Sequence, residues 1–155
     1  MTNPFHPRDY GGSPAIRVSM MPKDTNAHGT IFGGHILSLI DQAGAIGAHR
    51  LGAGRVVTVA LREVEFKAPV HVGDIVSCYT RVVGHGRTSI RVYVRVIAHD
   101  SRDVDRWRDV TDAELTFVQV DEGGAPVALS EHIIARAQAA MATGVEDDGP
   151  PAEGD

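Results

Sequence analysis

No apolar run in these 155 residues approaches the ~20 that a membrane-spanning helix needs, so the chain is expected not to enter a bilayer. It has a single cysteine, Cys78, and therefore no internal disulfide. The opening MTNPFHPRDYGGSP lacks the apolar segment of a secretory signal. Together these absences point to a cytoplasmic setting. Positive charge is also scarce: 15 Lys and Arg stand against 20 Asp and Glu, a formal net charge of -5. That argues against a protein that coats nucleic acid or anionic lipid, although a local group of arginines could still hold a small phosphate-bearing ligand.

Several chemical signatures are missing as well. There is no GxSxG nucleophile elbow, and Cys78 in mid-strand suits a small core residue better than a nucleophile. GHGRTS (84–89) does not have P-loop spacing, and DSRDVD (100–105) lacks the glycine and distal glutamate of an EF-hand loop. His28 and His35 are separated by a turn and glycines, which makes a poor metal pair. No internal repeat is evident.

What is present is the composition of an ordinary soluble protein, 43% hydrophobic and 23% charged, in a length that fits one domain. AIRVSMM (15–21) suits a short strand and PKDTN a turn. From Gly34 to Arg50, Ile36, Leu39, Ile40, Ala43 and Ile46 recur at helical spacing and give one apolar stripe. LGAG closes that helix. RVVTVALREVEFKAPV then alternates, with Val64, Phe66 and Ala68 on one face, and implies one or two strands. DIVSCYTRVV and TSIRVYVRVIA form a hairpin across glycines; HDSRDVDRWRD is a charged connection or strand extension, and VTDAELTFVQVD a further strand. Ser130 caps a second helix, SEHIIARAQAAMA.

The expected domain spans 14–142, between a flexible N-terminus (1–13) and an acidic, disordered tail (143–155) that is rich in Pro and Gly. The plan is α+β: consecutive, mostly antiparallel strands whose apolar face has only one long helix to cover it, so the sheet should curl around that helix. Gly33, Gly34, Gly44 and Gly47 with Ala43, Ala45 and Ala48 make the helix thin enough for close approach.

At 100° per residue from Ile36, Asp41 falls at about 140°, the seam between the apolar stripe and the solvated arc. Its helix neighbours Gly44, Ala45 and Ala48 are small. Two roles suit an acid placed there: a boundary carboxylate bonded to a loop or a neighbouring subunit, or a carboxylate in a partly dry cleft, where desolvation would raise its pKa and fit it to take a proton from water.

The stretches MPKDTNAHGTIFGGHILSLIDQAG, GRVVTVALREVEFKAPVHVGDIVSCY, GRTSIRVYV and VTDAELTFVQVD, in that order over about residues 15–130, closely resemble the YciA-like bacterial acyl-coenzyme A thioesterases of the hotdog fold, relatives of the tandem-domain cytosolic acyl-CoA hydrolases of animals. The resemblance implies a hotdog: a long central helix wrapped by a curved antiparallel sheet. It also implies a homodimer, assembled as a trimer of dimers, with substrate at the dimer interface. It implies hydrolysis of fatty acyl-CoA to free acid and coenzyme A, without metal or other cofactor; coenzyme A enters only as part of substrate and product.

By the same resemblance Asp41 is the catalytic carboxylate, acting as general base on water or by direct attack through an anhydride. Asn26, from the other subunit, positions water or thioester. Gly34 with Gly33 offers backbone N–H groups to the oxyanion. Arg87, Thr88 and Ser89, and also Lys67, are candidates for binding coenzyme A. Leu37, Ile40 and Phe66 would line the acyl pocket. A hotdog dehydratase or a non-catalytic acyl-CoA sensor are the competing functions. The first would rest on His28, and the second would need an attached regulatory or DNA-binding module for which no segment is left over.

Overall fold

The computed structural model describes residues 13–143, so the expected N-terminal and tail segments lie, apart from Ser13 and Thr143, outside the described residues. Its elements are β1 (Ile16–Ser19), a 3-10 turn (Pro22–Asp24), α1 (Gly33–Arg50), β2 (Val56–Arg62), β3 (Ile75–His85), β4 (Ser89–Asp100), β5 (Asp103–Gln119) and α2 (Glu131–Thr143). The strands form one antiparallel sheet in the order β1-β3-β4-β5-β2, curled around α1, and this is the hotdog architecture.

The periodic residues of α1 up to Ala43 do what their spacing requires, whereas Ile46 stays partly exposed and Ala48 is buried in the last turn. Ile36, Leu39, Ile40, Ala43 and Ala48 are buried against Val76, Cys78, Val92, Val94, Leu115 and Phe117 of the sheet. Each large side chain so covered contributes about 1.5–3 kcal/mol of transfer free energy. Close approach is concentrated at Gly44, where an added Cβ would lie 2.9 Å from Cζ of the buried Phe117 ring. A thin helix is needed at this point so that the ring can sit against the backbone. Ser130 caps α2 as its sequence implies, its Oγ accepting from the Ile133 amide at 3.2 Å.

Two details differ from the pattern of the sequence, and one alternative left open there is decided. First, β2 does not sit beside β3: it pairs with β5 at one edge, and the 63–73 segment carries the chain across to β3, next to β1. Second, Val64, Phe66 and Ala68 are not a buried strand face. Glu63 takes a left-handed backbone (φ 49°), which turns the chain out of the ladder after Arg62, and Phe66 is 46% exposed. Isolated bonds rather than a ladder then hold the segment, among them those from the Lys67 amide to the Val110 carbonyl and from Thr111 Oγ1 to the Glu65 carbonyl. Of the two readings open for the charged run after β4, connection or strand extension, the chain takes strand extension. Ser101 and Arg102 alone make the turn, and β5 runs on from Asp103.

Candidate functional site

Asp41 lies two turns along α1, on the side that faces strand β2, and Thr58 of that strand donates its Oγ1–H to Asp41 Oδ1 at 2.6 Å. This is a charge-assisted bond between two exposed side chains. It fixes one carboxylate oxygen and leaves the other directed to a ligand or to solvent. In the single chain Asp41 is exposed rather than enclosed in a dry cleft, so any desolvation must come from outside this chain. Thr58 was not singled out by the sequence. No short motif marks it; it meets Asp41 because β2 returns along the helix, and the only local cue is a hydroxyl within a run of valines.

Asn26 occupies the loop between the 3-10 turn and α1. Its Oδ1 accepts from the amides of His28 (2.8 Å) and Thr30 (3.2 Å), and its Nδ2 donates to Thr30 Oγ1 (2.8 Å). The side chain is thereby locked in its own loop with one N–H left to offer. None of its bonds reaches Asp41, so the described chain does not join the two.

Helix α1 starts without a side-chain cap at Phe32, and the His35 and Ile36 amides both turn to the Phe32 carbonyl. The Gly33 and Gly34 amides donate to no described protein group, which leaves two donors at the positive end of the helix macrodipole. Two exposed rings flank them. Phe66 lies against Gly33, where a Cβ would meet its Cζ at 3.6 Å, and Phe32 lies over Gly34. A cleft of about 270 Å³ opens here, lined by Ile31, Gly33, Ile36, Phe66 and residues 67–70. Such a cleft has mostly apolar walls and, at Gly33, an unspent N–H group with that of Gly34 next in the chain, which suits a carbonyl that gains negative charge.

The other expected site residues are dispersed. Of the acyl-pocket set, Phe66 lines this cleft and Leu37 is half-buried; Ile40 has no exposed surface and belongs to the core beneath, because the apolar stripe turns it toward the sheet. Lys67 also lines the cleft, but its ammonium pairs with Asp112 at 3.3 Å and Asp109 at 3.7 Å. Arg87 and Thr88 lie in the β3–β4 turn, and Ser89 opens β4. The Arg87 carbonyl accepts from Leu129, and the Thr88 carbonyl from Gln119.

Several polar groups outside these positions have structural partners. Arg95 is buried on the outer sheet face and binds both oxygens of Asp109, at 3.1 and 2.8 Å. Beside it Tyr93 donates to Asp112 at 2.8 Å; burial, and then that carboxylate, push its phenol above the ordinary range. Burial likewise pushes the Cys78 thiol up to about 12, as for a core residue. The His35 ring lies 3.7 Å from Asp24. Among the described residues no three His, Cys, Asp or Glu side chains converge as a metal site, and no helix is long and apolar enough to cross a membrane.

Comparison with known proteins bears directly on this geometry. Residues 28–104 match the Thioesterase superfamily. The chain is 43% identical over 122 residues to the acyl-CoA thioester hydrolase YciA of Escherichia coli, covering 76% of this chain and 91% of that one. A hexameric hotdog fold thioesterase of Campylobacter jejuni superposes with a TM-score of 0.76 at 47% identity, over 83% of this chain and 97% of that one. An acyl-CoA hydrolase from Staphylococcus aureus, solved with butyryl coenzyme A and coenzyme A, superposes with a TM-score of 0.65 at 32% identity, over 73% and 68%. With the helix-wrapped sheet and this degree of identity over most of its length, the chain belongs to the thioesterase superfamily, among the YciA-like acyl-CoA thioester hydrolases of the hotdog fold.

Proposed function

We propose that this enzyme hydrolyses fatty acyl-CoA to free acid and coenzyme A through a site shared by two copies of the chain, with Asp41 as the reacting carboxylate and neither metal nor redox cofactor taking part. A cytoplasmic setting suits a chain with one cysteine. The observation that carries the mechanism is the bond from Thr58 to Asp41. With Oδ1 occupied by the Thr58 hydroxyl, Oδ2 is the oxygen that takes a proton from the attacking water. The thioester oxygen receives the unspent amides of Gly33 and Gly34, and the spare N–H of the locked Asn26 aligns water or carbonyl. The tetrahedral intermediate then collapses with loss of the coenzyme A thiolate.

Two copies are needed because Asn26 is tied within its own loop and Asp41 is tied to β2. Strand β2 is a sheet edge, and Val57, Val59 and Leu61 are exposed on it. An apolar edge of this kind is suited to pairing with its own copy, which would bring one protomer's helix start to the other's Asp41. Three such dimers would give the hexameric state described for the Campylobacter jejuni thioesterase. Support for the residue pair comes from the Staphylococcus aureus hydrolase. The asparagine and the aspartate replaced by alanine in its solved variants stand fifteen residues apart, the spacing of Asn26 and Asp41 here.

The test is thiol release from a series of substrates from acetyl- to stearoyl-CoA. Wild type is expected to turn over several of them, and Asp41→Ala to lose about 10²–10⁴ in kcat. Full kcat in Asp41→Ala would overturn the mechanism. Binding of coenzyme A by a wild type that releases no thiol would favour a sensor. Mixing Asn26→Ala with Asp41→Ala protein should restore part of the activity in exchanged dimers, and exchange without recovery would overturn the shared site.

A further inference from the structure

We propose that Lys67 is a positioning residue: anchored to Asp112 and Asp109 on the outer face of the sheet, it holds the Phe66 ring in the wall of the cleft at the start of α1, and so decides how well longer acyl chains are held. This rests on the acyl-CoA reading above.

Phe66 forms the wall beside Gly33, yet it is 46% exposed and sits on a segment that left the ladder after Arg62. Neither burial nor strand pairing keeps the ring there. What does is a set of bonds to its two chain neighbours, all from consecutive residues of β5. Thr111 Oγ1–H donates to the Glu65 carbonyl at 2.7 Å, and the Lys67 amide donates to the Val110 carbonyl at 2.8 Å. The Lys67 ammonium then donates to Asp112 Oδ2 at 3.3 Å, with Asp109 at 3.7 Å.

An exposed ion pair is worth little when both side chains must be ordered to make it. Here the acids are ordered beforehand. Asp109 is gripped through both oxygens by the buried Arg95, and Asp112 Oδ2 accepts from the Tyr93 hydroxyl at 2.8 Å. Arg95 answers the charge of Asp109, whereas Tyr93 brings none to Asp112; Lys67 is the cation bonded to that carboxylate. The same arrangement speaks against Lys67 as a phosphate contact, because a phosphate seated there would face two carboxylates. Asp41 faces β2 and lies outside this wall, so loosening the anchor should disturb the hold on the acyl chain more than the reacting carboxylate.

The test compares the shortest and the longest acyl-CoA that the wild type turns over. Lys67→Met should raise KM for the longest about three- to tenfold with kcat little changed, and leave KM for the shortest near that of wild type. Lys67→Arg should restore the longer substrate, and Asp112→Asn, which still accepts from Tyr93 but carries no charge, should reproduce the loss. The rise should persist with S-acyl-pantetheine, which has no phosphate. A rise that vanishes with S-acyl-pantetheine, an equal rise for both lengths, or a loss confined to kcat overturns the assignment. A wild type inert toward every acyl-CoA would instead sink the hydrolase reading. Amide hydrogen exchange would then still decide the anchor: faster exchange at Lys67 in Asp112→Asn than in wild type supports it, and unchanged exchange overturns it.

Discussion

Strands β4 and β2 flank the same strand, β5, and fare differently. On β4, Ile90, Val92, Val94 and Val96 are wholly covered by α1 and the rest of the core; on β2 no residue is buried, and Val59 is 56% exposed. β4 finds all its partners within the chain. β2 has one ladder partner and a free edge, yet it carries apolar side chains and the hydroxyl that holds Asp41. The comparison separates what the single chain completes from what it leaves open: the packing is finished on the β3–β4–β5 side, and Asp41, the carboxylate proposed to react, is held on the unfinished one.

The largest expected effect tests the finished side. Phe117 fills the space above Gly44 and is almost fully buried, so Phe117→Ala should cost about 3–5 kcal/mol in denaturant unfolding, as loss of a large core ring does. A cost no greater than that of a β2 substitution would break the contrast. Next comes the open edge. Val59→Asp should leave the thermal stability of a dissociated chain near that of wild type. At low protein concentration it should cut activity by about a hundredfold, because an edge carrying charge resists pairing. Sedimentation velocity alongside the assay decides it: a variant that stays assembled and active would mean that β2 is not the seam.

A smaller effect is expected at Thr58. A hydrogen bond to a charged group is worth about 1.5–3 kcal/mol, so Thr58→Val should lower kcat roughly ten- to hundredfold, with KM little changed, and Thr58→Ser should restore most of it. Equal activity in all three proteins would show that the carboxylate needs no positioning from the strand.

The same division governs what the sequence makes legible. The stripe Ile36, Leu39, Ile40 and Ala43, the hairpin from Ile75 to Asp100 and the Ser130 cap are periodic or local, and the fold contains each of them. Asp41 stood out because its angle on the helix fits neither face. Thr58 did not, since its role depends on a contact seventeen residues away that forms only when β2 returns along α1. The crossing of β2 to the far edge was hidden for a related reason: alternation predicts a strand but not its neighbour. The alternation through Val64, Phe66 and Ala68 misled, because Glu63 breaks the ladder with a backbone conformation that its residue type does not advertise. Family resemblance, rather than spacing, linked Asn26 to Asp41.

The smallest expected effect concerns Cys78, which lies on the finished side and takes no part in the chemistry. Its thiol is fully covered between sheet and helix, and burial holds its pKa up at about 12, above the ordinary thiol value near 8.5. Below the unfolded value both states keep the proton, and the group's contribution to stability does not change with pH. As pH rises from about 8.5 toward 12, the unfolded chain loses its proton first and binds fewer protons than the folded one, so stability must fall through that window. The unfolding free energy of wild type minus that of Cys78→Ala should therefore decline as pH rises from about 8 to about 10. Alkylation of the native thiol at pH 8 should be far slower than in denaturant. If native Cys78 instead reacts as fast as the unfolded thiol, the helix–sheet seam opens readily there, and the contrast between a finished core and an open edge loses its sharper half.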